Sequence, residues 1–224
     1  MDVEAIWVSV ELAACTTLLL FLLGLPLSFW LTVTRWRFKF LLESLVVLPM
    51  ILPPTILGFY VLVAIGPMSP LGRAYEEMTG HPLAFSFQGL LLASILYSLP
   101  FAVRPFAAGF AGVDRRLIEA SWSLGISRIV TFLRIACPLA WAGIVTGLVL
   151  SFAHTLGEFG VVLMVGGNIP GVTRTVSIAI YDDVQAIDYQ RAAMTSLVLL
   201  ASSFLALAVT HFLSRKGTLW DLSS

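Results

Sequence analysis

The sequence predicts an all-α, polytopic membrane protein with five transmembrane helices. Three observations carry this. Hydrophobic residues make up 58% of the 224 and charged residues only 12%, about half of what a soluble domain uses to cover its surface. The apolar residues are gathered into runs that can cross about 30 Å of hydrocarbon, which takes roughly 20 helical residues. No run shows the alternating ten-residue pattern of a membrane barrel, so helices are the default, because they bond every backbone amide internally.

The first run, Leu12 to Thr34, carries no charge and sets a span at about 10–34. The preceding MDVEAIW lacks the basic start and small-residue cleavage site of a signal peptide, so this run is expected to stay as an anchor. Ser44 to Gly72 is also free of charge and gives a span at about 43–65. Three prolines, Pro49, Pro53 and Pro54, interrupt it in LPMILPPTILG. In a soluble helix interior each would cost about 3 kcal/mol, but neighbouring helices, hydroxyls or waters can satisfy the freed carbonyls in a bundle. Two readings stay open there: a packing kink, or a broken helix lining a polar passage.

The third run, Phe87 to Val103, is shorter and ends at Arg104, for a span at about 87–107. Ile135 to Gly157 and Ala192 to Ser214 contain one histidine each and no other ionisable charge, for spans at about 139–163 and 191–213. Between these last two, Val165 to Gln190 is too long for a tight turn. As a span it would bring Asp182, Asp183 and Asp188 into lipid. GGNIPG within it is turn chemistry, and Thr175 to Asp188 is a candidate surface helix. There is no fixed-period repeat, and the chain reads as one transmembrane domain over residues 7–214.

Basic residues orient such a bundle. Arg35, Arg37 and Lys39 follow the first span, five arginines from Arg104 to Arg134 lie between the third and fourth, and Arg215 and Lys216 follow the fifth. Only Arg73, Arg174 and Arg191 fall in the alternate connections, among Glu76, Glu77 and three aspartates. The expectation is an N-terminus outside, a C-terminus in the cytoplasm, and residence in the cell (inner) membrane.

Several function classes are disfavoured. A net charge of zero gives no electrostatic case for nucleic acid. The two cysteines, Cys15 and Cys137, suggest neither a disulfide nor a four-ligand metal site. GxxxxGK[ST], GxSxG and HExxH are all absent, so no catalytic residue, metal or cofactor is expected and the chain is not read as an enzyme by itself. His154 and Glu158, four apart, would share one face of the fourth span. An ionisable group there marks function by default. The plainer alternatives are that the two satisfy each other, or that Glu158 meets water at the interface.

The long charged interruption, Asp114 to Pro138, remains. Asp114 is a good helix N-cap and Gly125 a good stop; Ser127 can cap a second helix over Arg128 to Ala136, with Pro138 beginning the fourth span. Val113, Leu117, Ala120, Ser121 and Leu124 fall on one face of the first helix. Either this helix rests on lipid headgroups or it is a stiff lever that docks into another protein.

The spacing Glu119-Ala120-Ser121-x3-Gly125-x9-Ile135-x-Cys137-Pro138 resembles the EAA loop of ABC importer permeases, EAAx3Gx9IxLP. Ser121 stands for the second alanine and Cys137 for the leucine. LPMILPPTILGFY, Phe101 to Arg104, LGEFGVVLM and GGNIPGVTRTVSIAIY look like the molybdate-transport permeases, so the resemblance covers nearly the whole chain. It departs at His154, where relatives often have arginine, and at Val172, where they often have glutamate. The resemblance implies a type I (MetI-like) fold and a homodimer. It also implies two ATP-binding cassette subunits on the cytoplasmic side and an outer oxyanion-binding protein. Residues 111–138 would be the coupling loop, with Glu119, Ala120, Ser121, Gly125, Ile135 and Pro138 as coupling residues. Candidates for the path or its gate are Pro53, Pro54, His154, Glu158, Gly160 and Asn168. Tungstate or sulfate as cargo, or less plausibly a non-ABC channel, are the alternatives.

Overall fold

A computed structural model describes residues 2–220, with side chains as far as Ala208 apart from Ala206. All regular structure among the described residues is helical. The chain opens with α1 (Val3–Val33), capped by the Asp2 carboxylate, which accepts from Ala5 N at 3.0 Å. At 1.5 Å per residue, its 31 residues span roughly 45 Å.

The proline run breaks the next segment into α2 (Lys39–Ile51) and α3 (Pro54–Ile65), whose axes differ by 112°. At that run the helix is broken outright rather than merely kinked. Pro53 and Pro54 supply no N–H, and a residue before proline is pushed out of the helical region. Leu52 duly sits at φ −71°, ψ 139°, and Pro54 restarts the helix from its first position, where its missing donor is harmless. A short amphipathic helix follows, α4 (Pro70–Thr79), capped by Ser69 and stopped by Gly80.

α5 (Phe87–Ala111) runs on past Arg104 despite Pro100 and Pro105. After α6 (Arg115–Ser123) and α7 (Arg128–Thr131), a π-helical turn occupies Phe132–Ala136 and leads into α8 (Cys137–Leu139). The chain does not run straight from Pro138 into a span: Pro138 lies in α8, and α9 (Trp141–Gly157) leaves at 81° after a break at Ala140. Pro138 cannot donate to a carbonyl one turn back, so the ladder widens ahead of it.

Past Gly157 the backbone breaks again. Glu158 is extended, and a separate helix, α10 (Gly160–Gly166), follows. The candidate stretch Thr175 to Asp188 forms a helix, α11 (Val176–Gln185), and α12 (Tyr189–Trp220) follows it. By length and composition α1 and α5 can each cross a membrane alone, and the two bent segments, Lys39–Ile65 and Arg128–Gly157, qualify when each is taken whole. α12 contains the expected 191–213 span, whose side chains beyond Ala208 lie outside the described residues.

α1, α5 and α9 pack against one another as the centre of the bundle, with α12 on α9 and α11, and α3 on α10. Small residues allow the close approach. A Cβ at Gly143 would come within 2.6 Å of both Gly109 Cα and Pro105 O, so α5 and α9 touch backbone to backbone. Ser28 adds polar glue: its buried hydroxyl lies 2.6 Å from Gly24 O in its own helix and 3.2 Å from Val103 O in α5. One apolar cluster, with Leu20, Phe29, Phe106, Phe110 and Ile144, fills the end of the bundle that carries α6. At the opposite end Val61, Ile65, Ala93, Val161 and Val165 hold α3 and α10 onto α5.

Candidate functional site

Most of the candidate residues fall at two places: the helix–turn–helix from Asp114 to Pro138, and the paired breaks at Pro53–Pro54 and Glu158–Phe159.

In the first, each local signal is answered by a bond. Asp114 Oδ1 accepts from Arg116 N at 2.9 Å, starting α6. Gly125 takes φ +79°, the left-handed turn that closes a helix. Around it, Leu124 N donates to Ala120 O at 3.0 Å and Ile126 N to Ser121 O at 3.1 Å. Ser127 Oγ accepts from Val130 N at 3.3 Å to start α7.

The buried face of α6 shares Val113 and Ser121 with the stripe read from the sequence but turns on Ile118 rather than Leu117. Ile118 and Ser121 are buried, with Trp122 packed beside them, while Leu117, Ala120 and Leu124 are exposed. A helix of nine residues carries two overlapping apolar stripes. The one holding Ile118 wins because Phe110, Phe132 and Ala136 lie against it in the same cluster as Phe29 and Phe106. Phe29 and Phe132 meet at 5.1 Å between ring centroids. The serine that replaces the second alanine has a purpose in this chain: Ser121 Oγ bonds Thr131 Oγ1 at 2.8 Å, latching α6 to α7 inside the turn.

Glu119 stays on the exposed side, accepting from Arg115 Nε at 3.0 Å and lying 3.7 Å from Arg35, which reaches over from the turn after α1. Gly125 and Pro138 are exposed and Ile135 is half-buried. The loop therefore offers a surface of Leu117, Leu124, Ile129 and Leu133 beside Glu119 and several arginines, on a base fixed to the bundle.

In the second place, Gly160 lets α10 lie on the start of α3, since a Cβ there would meet Pro54 Cβ at 2.7 Å. Glu158, 5% exposed, sits in the break before α10. Its Oε1 accepts from Val161 N at 2.9 Å and caps α10, while Oε2 has no hydrogen-bond partner among the described residues.

His154 turns elsewhere. Its ring stacks on Phe101 at 3.8 Å, and Nδ1 lies 3.1 Å from Ser98 Oγ. Thr155 donates its proton to Ser151 O at 2.9 Å, so Ser98 donates to Thr155 Oγ1 at 2.8 Å and is left to accept from His154 Nδ1–H. His154 and Glu158 thus do not satisfy each other. The backbone break after Gly157 takes Glu158 off the helical face that four-residue spacing would have shared.

Pro53 is exposed at the corner between α2 and α3. Asn168 lies beyond α10 in an exposed turn, donating to Asp182 Oδ2 at 2.7 Å and accepting from Arg174 Nε at 2.6 Å. Pro54 and Gly160 are brought into contact, whereas Asn168 belongs to this separate polar cluster. Among the described residues no three His, Cys, Asp or Glu side chains converge on a point where a metal could sit.

Comparison with known proteins gives these features a context. Residues 22–217 match the binding-protein-dependent transport system inner membrane component family. The chain is 45% identical over 206 residues to the molybdenum transport system permease protein ModB of Azotobacter vinelandii, covering 92% of this chain and 91% of that one. It is 36% identical over 215 residues to ModB of Escherichia coli (strain K12), covering 93% of each. Among solved structures, the inward-facing MetNI methionine ABC transporter superposes with a TM-score of 0.73 at 17% identity, over 97% of this chain and 96% of that one. A bacterial alginate ABC transporter, solved with its alginate-bound periplasmic protein, gives 0.75 at 16%, over 96% and 78%. The matched region takes in both the Asp114–Pro138 turn and the two breaks: the chain belongs to the family of binding-protein-dependent transport system inner membrane components, with the fold of MetI-like ABC importer permeases.

Proposed function

We propose that this chain is the membrane subunit through which molybdate enters the cell. It would act as two copies, with two separate ATP-hydrolysing subunits on the cytoplasmic side and an oxyanion-binding protein outside. In this reading the chain has five spans, at about 10–34, 43–65, 87–107, 139–163 and 191–213. The N-terminus lies outside, the C-terminus lies in the cytoplasm, and residues 111–138 couple to the ATPase. The cargo is supported by the likeness to molybdenum permease proteins over more than nine-tenths of the chain.

One observation carries the coupling role. Ile118, Trp122 and Phe132 of the loop share an apolar cluster with Phe29 of α1, Phe106 of α5 and Ile144 of α9. A displacement applied to the exposed face of α6 therefore reaches three helices of the bundle through packed side chains.

Molybdate is a dianion, and its transfer into bare hydrocarbon is prohibitive, so the path is a hydrated cleft between the two copies. Its candidate lining is the α2–α3 corner at Pro53 and Pro54 together with the break at Glu158 and Gly160. An ionised Glu158 open to that cleft would repel the anion. Buried, and holding the start of α10, it serves as a gate or packing element, and His154, stacked on Phe101, serves packing near it. Asn168 would shape the outer mouth. Selectivity then resides chiefly in the binding protein.

The test is uptake by the reconstituted complex, with molybdate, tungstate and sulfate compared. Molybdate uptake that needs internal ATP, the ATPase subunits and the binding protein is the expected outcome. Uptake independent of ATP would overturn the importer reading, and sulfate uptake without molybdate uptake would overturn the cargo.

A further inference from the structure

At the end of the bundle that carries α6, a groove of about 460 Å³ opens between the end of α1, α2 and α5. Leu31, Val46, Val103 and Ala107 make its walls apolar, while Lys39, Glu43 and Arg104 add charge to its lining. Arg104 is the unusual one. It is exposed on a membrane-spanning helix, seven residues before that helix ends at Ala111 and so about 10 Å from the end. Among the described residues it has no ion-pair or hydrogen-bond partner. A guanidinium at such a depth is expensive unless it finds an anion or snorkels to the interface. Its planar fork fits a phosphate.

Lys39, the first residue of α2, contributes a second cation to the same groove. Its partner Glu43, at 3.7 Å, makes a half-exposed pair that holds it only weakly. The three charges sum to positive. Beside the groove, Trp30, Trp36 and Phe38 are exposed and follow one another at centroid separations of 6.2 and 5.9 Å. Arg37 lies over Phe38 at 5.1 Å. Such an aromatic and basic belt sits at headgroup level, which sets the depth of the groove independently of Arg104.

We propose that this groove holds one anionic phospholipid of the cytoplasmic leaflet, its phosphate between Arg104 and Lys39 and one acyl chain along the apolar wall. Charge complementarity selects this occupant: a zwitterionic lipid would gain the apolar wall but add little to two cations, whereas basic pockets between spanning helices suit anionic headgroups. The lipid would brace α2, the arm that leads to the Pro53 corner, against α1 and α5. The proposal rests on the cytoplasmic assignment of this end, so its test reads lipid binding rather than transport.

The full permease, in complex with its ATPase subunits, is equilibrated in nanodiscs of equimolar phosphatidylglycerol and phosphatidylcholine, released into detergent and weighed by native mass spectrometry. Preferential retention of one phosphatidylglycerol per permease is expected. Arg104→Gln and Lys39→Gln should each lower that retention roughly five-fold. Arg104→Lys should restore much of it, and Arg191→Gln, at the opposite end, should leave it unchanged. Val47→Trp, which narrows the groove while keeping both cations in the sequence, should lower it as well. Equal retention of the two lipids, or wild-type retention by Arg104→Gln, would overturn the proposal. So would loss of permease dimers in Arg104→Gln at unchanged lipid retention, which would assign the groove to the second copy.

Discussion

Gly125 gives the sharpest test of the loop, because its surroundings separate backbone strain from crowding. Its φ is +79°, and a Cβ built there meets no atom within 4 Å, so Gly125→Ala costs only the strain of a left-handed alanine, about 1–2 kcal/mol. Burial of Ile118 opposes opening of the turn by about 2 kcal/mol. The Ser121–Thr131 latch adds about 1 kcal/mol. The alanine variant should therefore keep a mostly closed loop and lose no more than a few-fold in ATP-driven uptake. Proline is different. It cannot reach φ +79°, it removes the Gly125 N–H that donates to Trp122 O at 3.0 Å, and it disfavours the φ −82°, ψ 5° backbone of Leu124 before it. At roughly 3 kcal/mol or more, this reaches or exceeds what holds the turn. Gly125→Pro should abolish uptake while membrane insertion, read by fractionation, stays normal. Asparagine, which tolerates the left-handed region, should fall between glycine and alanine. An inserted proline variant with wild-type uptake would refute the argument that the geometry of this turn transmits the stroke.

Three further expectations follow from the same geometry. Glu119→Lys exchanges contacts with Arg115 and Arg35 for repulsion on an exposed surface, where such pairs contribute at most about 1 kcal/mol each; the protein should insert, yet fail to co-purify with its ATPase. Ser121→Ala and Thr131→Val should each destabilise by about 1 kcal/mol in thermal unfolding, and the double variant by clearly less than the sum; full additivity would mean that the latch bond is not formed. Gly160→Val pushes a side chain into Pro54, whose Cβ would lie at 2.7 Å, so a loss of about 1–3 kcal/mol and weakened uptake are expected; unchanged unfolding would show that α10 and α3 do not touch.

The readability of the sequence varied with the kind of signal. Caps were legible because they are local chemistry: Asp114, Gly125 and Ser127 each act within three residues of themselves, and each makes the bond its type suggests. The face of α6 was legible only in part: Val113 and Ser121 of the stripe are buried, but Leu117 and Ile118 are both apolar and only the position of Phe110 and Phe132 chooses between them. The break at Glu158 escaped because hydropathy treats LGEFG as a continuation of an apolar run, although glycines at 157 and 160 bracket it. Arg104 looked like the end of a span, yet the helix continues to Ala111, because an arginine near the interface can leave the hydrocarbon by extending its side chain. α4 had a complete local signature in Ser69, Pro70 and Gly80, but its first turn falls inside the charge-free run Ser44 to Gly72, which hydropathy reads as one apolar segment.

These details assign different duties to the stiff and the bent parts of the fold in the proposed cycle. α9 is locked to α5 near its start, where Gly143 meets Gly109 backbone to backbone, and near its end, where Thr155 meets Ser98. A helix held at both ends moves with its neighbour rather than against it. Rotation must then be taken up where the backbone leaves the helical ladder: at Ala140, between the π turn and α9, and at Glu158, between α9 and α10. The first joint lies beside the loop cluster and the second carries the contact with Pro54 at the other broken span. A stroke on α6 would thus enter at one break and be delivered, through a rigid α5–α9 pair, to the corner formed by the other two. For that reason Glu158 is better understood as the cap that lets α9 end there than as a ligand for the anion.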